Sequence, residues 1–140
     1  MRIFMLEDDH WRRHCLMDWL RPDDEVTIIE SCRQRDKFDP PYDLILLDHD
    51  LGGRQLEGHE DCGLTFVRDA MFELQEDNGR GMIIIHSYNP DGARNMANAL
   101  APRPNVHIAP FGGVQFRRLL TAAREASIIA DPPAKERAKR

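Results

Sequence analysis

Acidic residues occur in two short runs, Glu7 to Asp9 and Asp48 to Asp50, each directly after a run of apolar residues. Carboxylates that are brought close together strongly disfavour joint ionisation unless a cation neutralises them. Carboxylate oxygens with open positions for water and phosphate suit Mg²⁺ or Mn²⁺ best. We therefore expect Glu7, Asp8, Asp48 and Asp50 to be candidate metal ligands if the two runs meet in the fold.

Each of these acids also has a simpler explanation. Asp9 can cap the helix that follows it, and Glu7 or Asp50 can lie in solvent without a metal. Asp48 is harder to explain in this way, because an aspartate that ends the apolar run Leu44 to Leu47 costs free energy when it is buried without a partner. We therefore favour a metal or phosphate role for Asp8 and Asp48 over one for Glu7 and Asp50.

Two histidines, His49 and His86, also stand at the ends of apolar runs. Histidine can transfer protons near neutral pH or bind a metal, so Asp48, His49 and His86 form a candidate catalytic set. Ser87 and Asn89 offer a hydroxyl and an amide for phosphate oxygens, at a helix start whose N–H groups favour anions. Each histidine can equally be a hydrogen-bonded core or rim residue, and Ser87 and Asn89 can simply cap the helix.

The elements that would position these residues alternate between short apolar runs and amphipathic stretches, a pattern typical of βα units around a parallel sheet. The pattern predicts five strands: Arg2 to Leu6, Val26 to Glu30, Asp43 to Asp48, Met82 to His86 and Val106 to Ala109. We expect a doubly wound α/β fold of flavodoxin type, with strand order 2-1-3-4-5. In such sheets ligands bind beyond the carboxyl ends of the strands, where the acids and histidines stand.

Apolar residues at helical spacing and cap signals predict the helices. They lie at Trp11 to Leu20, within Ser31 to Asp39, at Gly63 to Leu74, from Asn89-Pro90 to Leu100, and at Phe116 to Ala123. The connection from Leu51 to Cys62 is long for a compact domain, so it is either a functional cover or a disordered insertion.

The 140 residues have the composition of one soluble domain with a net charge of −5, which excludes a chain-wide basic surface for duplex DNA. No apolar run approaches the roughly 18 residues that span a bilayer. Acids follow the first strand before a signal-peptide core can form, and three cysteines lack metal-ligand spacing. We expect a cytoplasmic protein with a domain at 1–128 and a charged tail at 129–140.

Four stretches in this order resemble the receiver domain of two-component response regulators: Ile3 to Asp9, Asp43 to Asp48, Ile85 to Ser87, and Pro110-Phe111. The resemblance implies that Glu7 and Asp8 are the metal-binding acidic pair, Asp48 the phosphoacceptor and Ser87 the switch hydroxyl. Receivers place a lysine directly before the proline of the last strand, whereas Ala109 stands there in this chain. Arg94, Arg117 or Arg118 are candidates to replace its charge.

Two further signatures are similar to those of the cyclic-phosphate-processing receiver group. They are Asp-His-Asp-Leu-Gly-Gly at 48–53 and His-Ser-Tyr-Asn-Pro-Asp-Gly-Ala at 86–93. That group was proposed, from sequence and genome context, to act on cyclic phosphates such as RNA 2′,3′-cyclic ends. The resemblance therefore implies a phosphate-containing small molecule or an RNA end as the partner.

Three functions follow from these observations. The first is a metal-dependent phosphoesterase in which His49 and His86 act as general base and acid; a variant makes Asp48 the nucleophile. The second is a stand-alone receiver that signals through phosphorylation of Asp48. The third is a pseudo-receiver that only binds a protein partner, which leaves the acids without neutralisation.

Overall fold

The computed structural model describes residues 1–56, 58–77 and 81–130. Seven strands occur along this part of the chain: β1 (Arg2–Leu6), β2 (Glu25–Ile29), β3 (Leu44–Leu47), β4 (Asp50–Leu56), β5 (His59–Cys62), β6 (Met82–Ile85) and β7 (Val106–Ile108). Five of them form a parallel sheet in the order β2-β1-β3-β6-β7. The predicted order 2-1-3-4-5 and the doubly wound α/β fold are therefore confirmed, and the strand bounds agree to within one or two residues.

Strands β4 and β5 form a separate antiparallel hairpin, where the sequence predicted a cover loop or an insertion. The hairpin pairs Asp50 with Cys62, so the chain returns to the point where it left the main sheet. The amide of Gly63 then donates to the carbonyl of His49 at 2.7 Å. The hairpin thus projects from the carboxyl edge of the sheet without separating β3 from the next helix.

The helices are α1 (His10–Trp19), α2 (Gly63–Asp69), α3 (Pro90–Leu100) and α4 (Val114–Ala130), with a 3-10 helix at Cys32–Lys37 and a π-helical turn at Glu73–Asp77. The predicted third helix therefore ends before Leu74, which lies in the π turn. Helix α4 runs two residues beyond position 128; the rest of the predicted tail, 131–140, lies outside the described residues. No described helix has the length and apolar character needed to cross a membrane.

Both faces of the sheet are covered, as expected for strands without polar alternation. Phe4, Ile45 and Ile83 belong to a core on one face that includes Phe66 of α2. Ile3, Leu46 and Ile84 belong to the core on the other face, which α1 and α4 cover. The strands are therefore held rigidly up to their carboxyl ends.

The strand register places three polar residues side by side. Leu6 pairs with Leu47, and Leu47 pairs with Ile85, so the next residue of each strand lies at the same level of the sheet. The backbone ladder continues one step, because the amide of Asp48 donates to Leu6 and the amide of His86 donates to Leu47. Glu7, Asp48 and His86 are thus fixed by backbone pairing.

We expect Gly63→Ala to destabilise the protein strongly, because an added Cβ would lie 2.1 Å from the Asp48 carbonyl oxygen. Overpacking of this kind costs about 1–3 kcal/mol or more. Gly113→Ala is the matched control, since its Cβ would lie 3.4 Å from the nearest atom, the Pro110 carbonyl oxygen. Urea unfolding measures both; equal stability of the two variants would show that α2 does not pack this tightly against β3.

Candidate phosphate and metal site

The carboxyl ends of β1, β3 and β6 bring Glu7, Asp48 and His86 together. One ligand atom from each of these side chains lies within 4.8 Å of the other two. All three residues are buried, at 0%, 3% and 0% exposure respectively. We call this group the buried cluster.

Glu7 is a fully buried carboxylate with several polar neighbours. Its Oε1 accepts a hydrogen bond from the Asp9 amide at 3.0 Å, and the Arg12 Nη1 lies 3.4 Å from each carboxylate oxygen. Burial and, to a smaller extent, the negative charge of Asp48 together raise the pKa of Glu7 to about 7. Close to neutral pH, the protonated and ionised forms of Glu7 are therefore both populated.

Asp48 is held in a similar way. Its Oδ1 accepts from the His49 amide at 2.9 Å, and its Oδ2 lies 3.5 Å from the Arg12 Nη1. Burial raises the pKa of Asp48 to about 6, although Arg12 and the His49 amide act in the opposite direction. The two acids of the buried cluster therefore share one guanidinium and leave part of their charge uncompensated when both are ionised.

His86 completes the buried cluster. Neither ring nitrogen makes a hydrogen bond to any of the described residues, and Nδ1 lies 3.6 Å from the Glu7 Oε2. Phe111 contacts the imidazole edge-to-face, with the ring centroids 5.5 Å apart. Burial and the charge of Arg12 lower the pKa of His86 to about 3, so the ring is neutral and a nitrogen lone pair is available. A buried imidazole nitrogen that makes no hydrogen bond to the described residues, beside two carboxylates, is suited to bind a metal ion.

Arg12 is the residue of this site that sequence reasoning missed. Partial burial lowers its pKa, but the charges of Glu7 and Asp48 outweigh that effect and raise it overall. Its guanidinium carbon also lies 5.0 Å from the centre of the Tyr88 ring. The available signal was its place three residues after the cap Asp9, because side chains in a first helical turn point back toward the helix start.

Among the described residues, none of the three arginines suggested by the sequence forms an ion pair with Asp48. Arg94 pairs with Asp91 at 3.6 Å on the exposed surface of α3, and Arg117 and Arg118 are exposed on α4. Arg12 instead supplies the positive charge next to Asp48. Ala109, at the position where receivers carry lysine, is fully buried.

A second group of polar side chains lies at the rim above the buried cluster. His49 Nδ1 and Asp50 Oδ1 are 2.7 Å apart, and the Asn89 Nδ2 donates to the same carboxylate oxygen at 3.2 Å. The hydrogen bond from His49 lowers the pKa of Asp50. The His49 side chain is 14% exposed and that of Asp50 63%, so this group borders solvent. We call it the rim group.

Helix α3 holds the rim group in position. Asn89 caps the helix by accepting from the Gly92 amide at 2.9 Å, as the Asn-Pro signal predicted. The His49 ring packs on the same turn, and a Cβ on Gly92 would lie 2.5 Å from its Cγ. The glycine of the second sequence signature is therefore needed for the close approach of His49.

Asp8 and Ser87 follow Glu7 and His86 of the buried cluster in the sequence. Ser87 is 5% exposed, and its Oγ accepts from the Asn89 amide at 3.0 Å. Asp8 is half-buried; its Oδ2 lies 3.7 Å from the place that a Cβ on Gly52 would occupy, and Gly52 has φ +78°. Of the four predicted metal ligands, the structure thus gathers Glu7 and Asp48 with His86, while Asp8 lies under the hairpin and Asp50 belongs to the rim group.

Comparisons with known proteins agree with the fold. The family model of the cyclic-phosphate processing receiver domain matches residues 1–102, which include the buried cluster and the rim group. None of the curated proteins compared with the chain matches it.

Three solved structures similar to the chain are response regulators. TrrA of Thermotoga maritima in complex with Mg²⁺-BeF has a TM-score of 0.57 and 16% identity, covering 87% of this chain and 97% of its own. The phosphorylated cyanobacterial phytochrome response regulator RcpA has a TM-score of 0.56 and 16% identity, covering 91% of each chain. The Mn²⁺-bound form of Rcp1 has a TM-score of 0.53 at the same identity and coverage. Likeness at this identity shows the fold.

The raised pKa values of Glu7 and Asp48 predict how the stabilisation of the protein by a metal ion should depend on pH. Since the pKa values of Glu7 and Asp48 are raised to about 7 and about 6, the folded protein binds extra protons from about pH 4 to pH 7. Stability without metal therefore falls as the pH rises through this window. Mn²⁺ competes with those protons, so we expect it to raise the melting temperature by about 5 °C near pH 8 and by much less near pH 5.5.

Thermal melts of wild type, Glu7→Gln and Asp48→Asn test this expectation, with the exposed Asp91→Asn as the matched control. The first two variants should lose the Mn²⁺ shift and the control should keep it. Asp8→Asn and Asp50→Asn show whether the predicted ligands outside the cluster contribute. A shift that is absent, or that is equal at both pH values, would contradict a metal in this cluster.

Proposed function

Because the chain belongs to the cyclic-phosphate processing receiver domain family, we propose that it is a metal-dependent phosphoesterase acting on a cyclic or terminal phosphate, with a nucleotide or RNA 2′,3′-cyclic phosphate as the leading substrate class. One observation carries the proposal: a buried imidazole that makes no hydrogen bond within the described part of the chain lies against two buried carboxylates, beside a histidine–carboxylate pair at the solvent edge.

Glu7, Asp48 and His86 would hold the divalent cation. Two carboxylates and an imidazole nitrogen form a mixed ligand set that suits Mn²⁺ better than Mg²⁺, which prefers oxygen alone. When bound, the cation polarises a phosphoryl oxygen and offsets the negative charge of the substrate. Asp8 adds negative charge nearby, since it raises the pKa of both Glu7 and Asp48.

His49 is the general base of the proposed reaction. Its Nδ1 is held by Asp50, which favours the ring orientation in which Nε2 can accept a proton. Asn89 fixes Asp50 in turn, so the base is oriented by two neighbours on the rim. His86 has no access to solvent, and its lowered pKa leaves the ring neutral and without the acidic proton of an imidazolium, so we assign it to metal binding.

In the proposed reaction, water attacks the cyclic phosphate directly. The oxygen of a water molecule forms a bond to phosphorus while His49 Nε2 takes one of its protons. The bond from phosphorus to one ribose oxygen breaks, and that oxygen takes a proton from solvent at the open rim. The product is a phosphate monoester with one free hydroxyl. Ser87 and the α3 start would orient the phosphate.

Asp48 is the nucleophile in the variant of this mechanism. Its carboxylate would attack phosphorus, and the resulting mixed anhydride would be hydrolysed. Acid quenching during turnover, followed by intact-mass measurement, separates the two routes. A nucleotide adduct on Asp48 supports the variant, and its absence at full turnover supports direct attack by water.

We expect wild type with Mn²⁺ to hydrolyse 2′,3′-cyclic nucleotides and His49→Gln to lower kcat about 100-fold, because general-base catalysis contributes on this order. Asp50→Asn should lower kcat less, since it removes orientation and leaves the base in place. His14→Gln, on the exposed surface of α1, is the control and should retain wild-type kcat. No turnover by wild type, or full kcat in His49→Gln, would refute the proposal.

One observation also favours signalling through Asp48 as a second candidate function. A receiver without its lysine lacks a fixed cation for an aspartyl phosphate, yet Arg12 lies 3.5 Å from the Asp48 carboxylate. The guanidinium could therefore replace the missing charge.

Acetyl phosphate with Mg²⁺ should then transfer a stable phosphoryl group to Asp48, detectable by intact mass. We expect Arg12→Gln to shorten the lifetime of this adduct and Arg13→Gln, which pairs with Glu30, to leave it unchanged. A wild-type chain that forms no adduct would exclude this second function.

A further inference from the structure

A cleft of about 500 Å³ lies between α1 and the start of α4, beside the buried cluster. Its floor is apolar and includes Leu16, Phe116 and Leu120, which are buried. Its walls carry aromatic rings and two guanidinium groups, from Trp11, Tyr88, Phe111, Arg12 and Arg117. Its volume lies within the range of about 300–1,000 Å³ that is typical of small-molecule sites.

Two aromatic side chains at this cleft are unusually exposed. Trp11 is 71% exposed and Tyr88 is 62% exposed. The Tyr88 ring is nevertheless fixed, because its hydroxyl donates to the Phe111 carbonyl at 2.9 Å and Arg12 lies over its face. Fixed, exposed aromatic faces are the surfaces on which nucleic-acid bases stack.

The charge of the cleft selects an anion. Arg12 and Arg117 both line it, and no carboxylate is among the described residues that do so. Guanidinium groups bind phosphate and also stack on planar rings. A planar, anionic ligand therefore matches the cleft better than an aliphatic or cationic one.

Arg12 joins the cleft to the buried cluster. Its Nη1 lies within 3.5 Å of the carboxylates of Glu7 and Asp48, while its guanidinium carbon lies 5.0 Å from the Tyr88 ring centre. A ligand with its phosphate at the cluster can thus extend its other end into the cleft. In a nucleotide that other end is the base.

We infer that this cleft is a base-binding subsite: Trp11 and Tyr88 stack on the base of a nucleotide whose phosphate lies at the buried cluster, with Arg117 adding affinity for the anion. The inference rests on the proposed phosphoesterase function and specifies its substrate as a nucleoside phosphate rather than a base-free phosphate.

The test compares adenosine 2′,3′-cyclic phosphate with glycerol 1,2-cyclic phosphate, which has no base. Stacking on one base contributes about 1–3 kcal/mol, so we expect wild-type kcat/KM to favour the nucleotide about 5- to 150-fold. Trp11→Ala should reduce this preference through a higher KM and leave the rate on the glycerol compound unchanged. Phe72→Ala, which removes an equally exposed ring outside the cleft, is the matched control.

Binding measurements test the subsite independently of catalysis. By calorimetry, adenosine 3′-monophosphate should bind wild type more tightly than glycerol 2-phosphate does. The affinity should fall in Trp11→Ala and in Arg117→Gln but not in Arg118→Gln, whose side chain lies outside this cleft.

The possible results separate the two proposals. Base-dependent binding without hydrolysis supports the subsite and refutes the phosphoesterase. Hydrolysis of both cyclic phosphates at equal kcat/KM supports the phosphoesterase and overturns the subsite. Equal affinity for the two monophosphates also overturns it, as does dimerisation of the chain that Trp11→Ala abolishes, because a second copy would then occupy the cleft.

Discussion

The burial of two adjacent carboxylates at the ends of β1 and β3 is the constraint on which the site depends. Glu7 and Asp48 are held there by backbone pairing, so neither can move into water to escape the other. Ionised groups in such a place need compensation. Arg12 and the Asp9 and His49 amides each supply part of that compensation, and a divalent cation would supply the rest.

This constraint separates the site into two levels with different chemistry. The buried cluster is rigid and shielded, which suits the binding of an ion but not the exchange of protons with solvent. The rim group is exposed and hydrogen-bonded, which suits proton transfer. The backbone joins the two levels directly, because His49 follows Asp48 and donates its amide to the Asp48 carboxylate.

The fold and the location of the site could be predicted from the sequence because they depend on patterns along single segments. Uninterrupted apolar runs such as Leu44–Leu47 give buried parallel strands, and Asn89-Pro90 gives a helix start. The hairpin could not be predicted from alternation, since its strands carry Asp50, Gly52 and Gly53 where a regular strand has apolar residues. The rotation of α1 about its own axis determines that the Arg12 side chain reaches the carboxylate of Glu7. The packing of Phe111 against the imidazole determines the surroundings of His86. Both arise from tertiary contacts, which patterns along single segments do not specify.

The contact between the His49 ring and Gly92 links two positions that lie far apart in the sequence. An imidazole at 49 can keep its orientation only while position 92 has no side chain, and any larger residue at 92 would force the ring away from Asp50. Substitutions at the two positions should therefore be non-additive: a bulkier residue at 92 would be tolerated only after 49 became smaller, by which stage the imidazole at 49 would already be lost. Sequence change at these two positions is thus constrained in order as well as in kind.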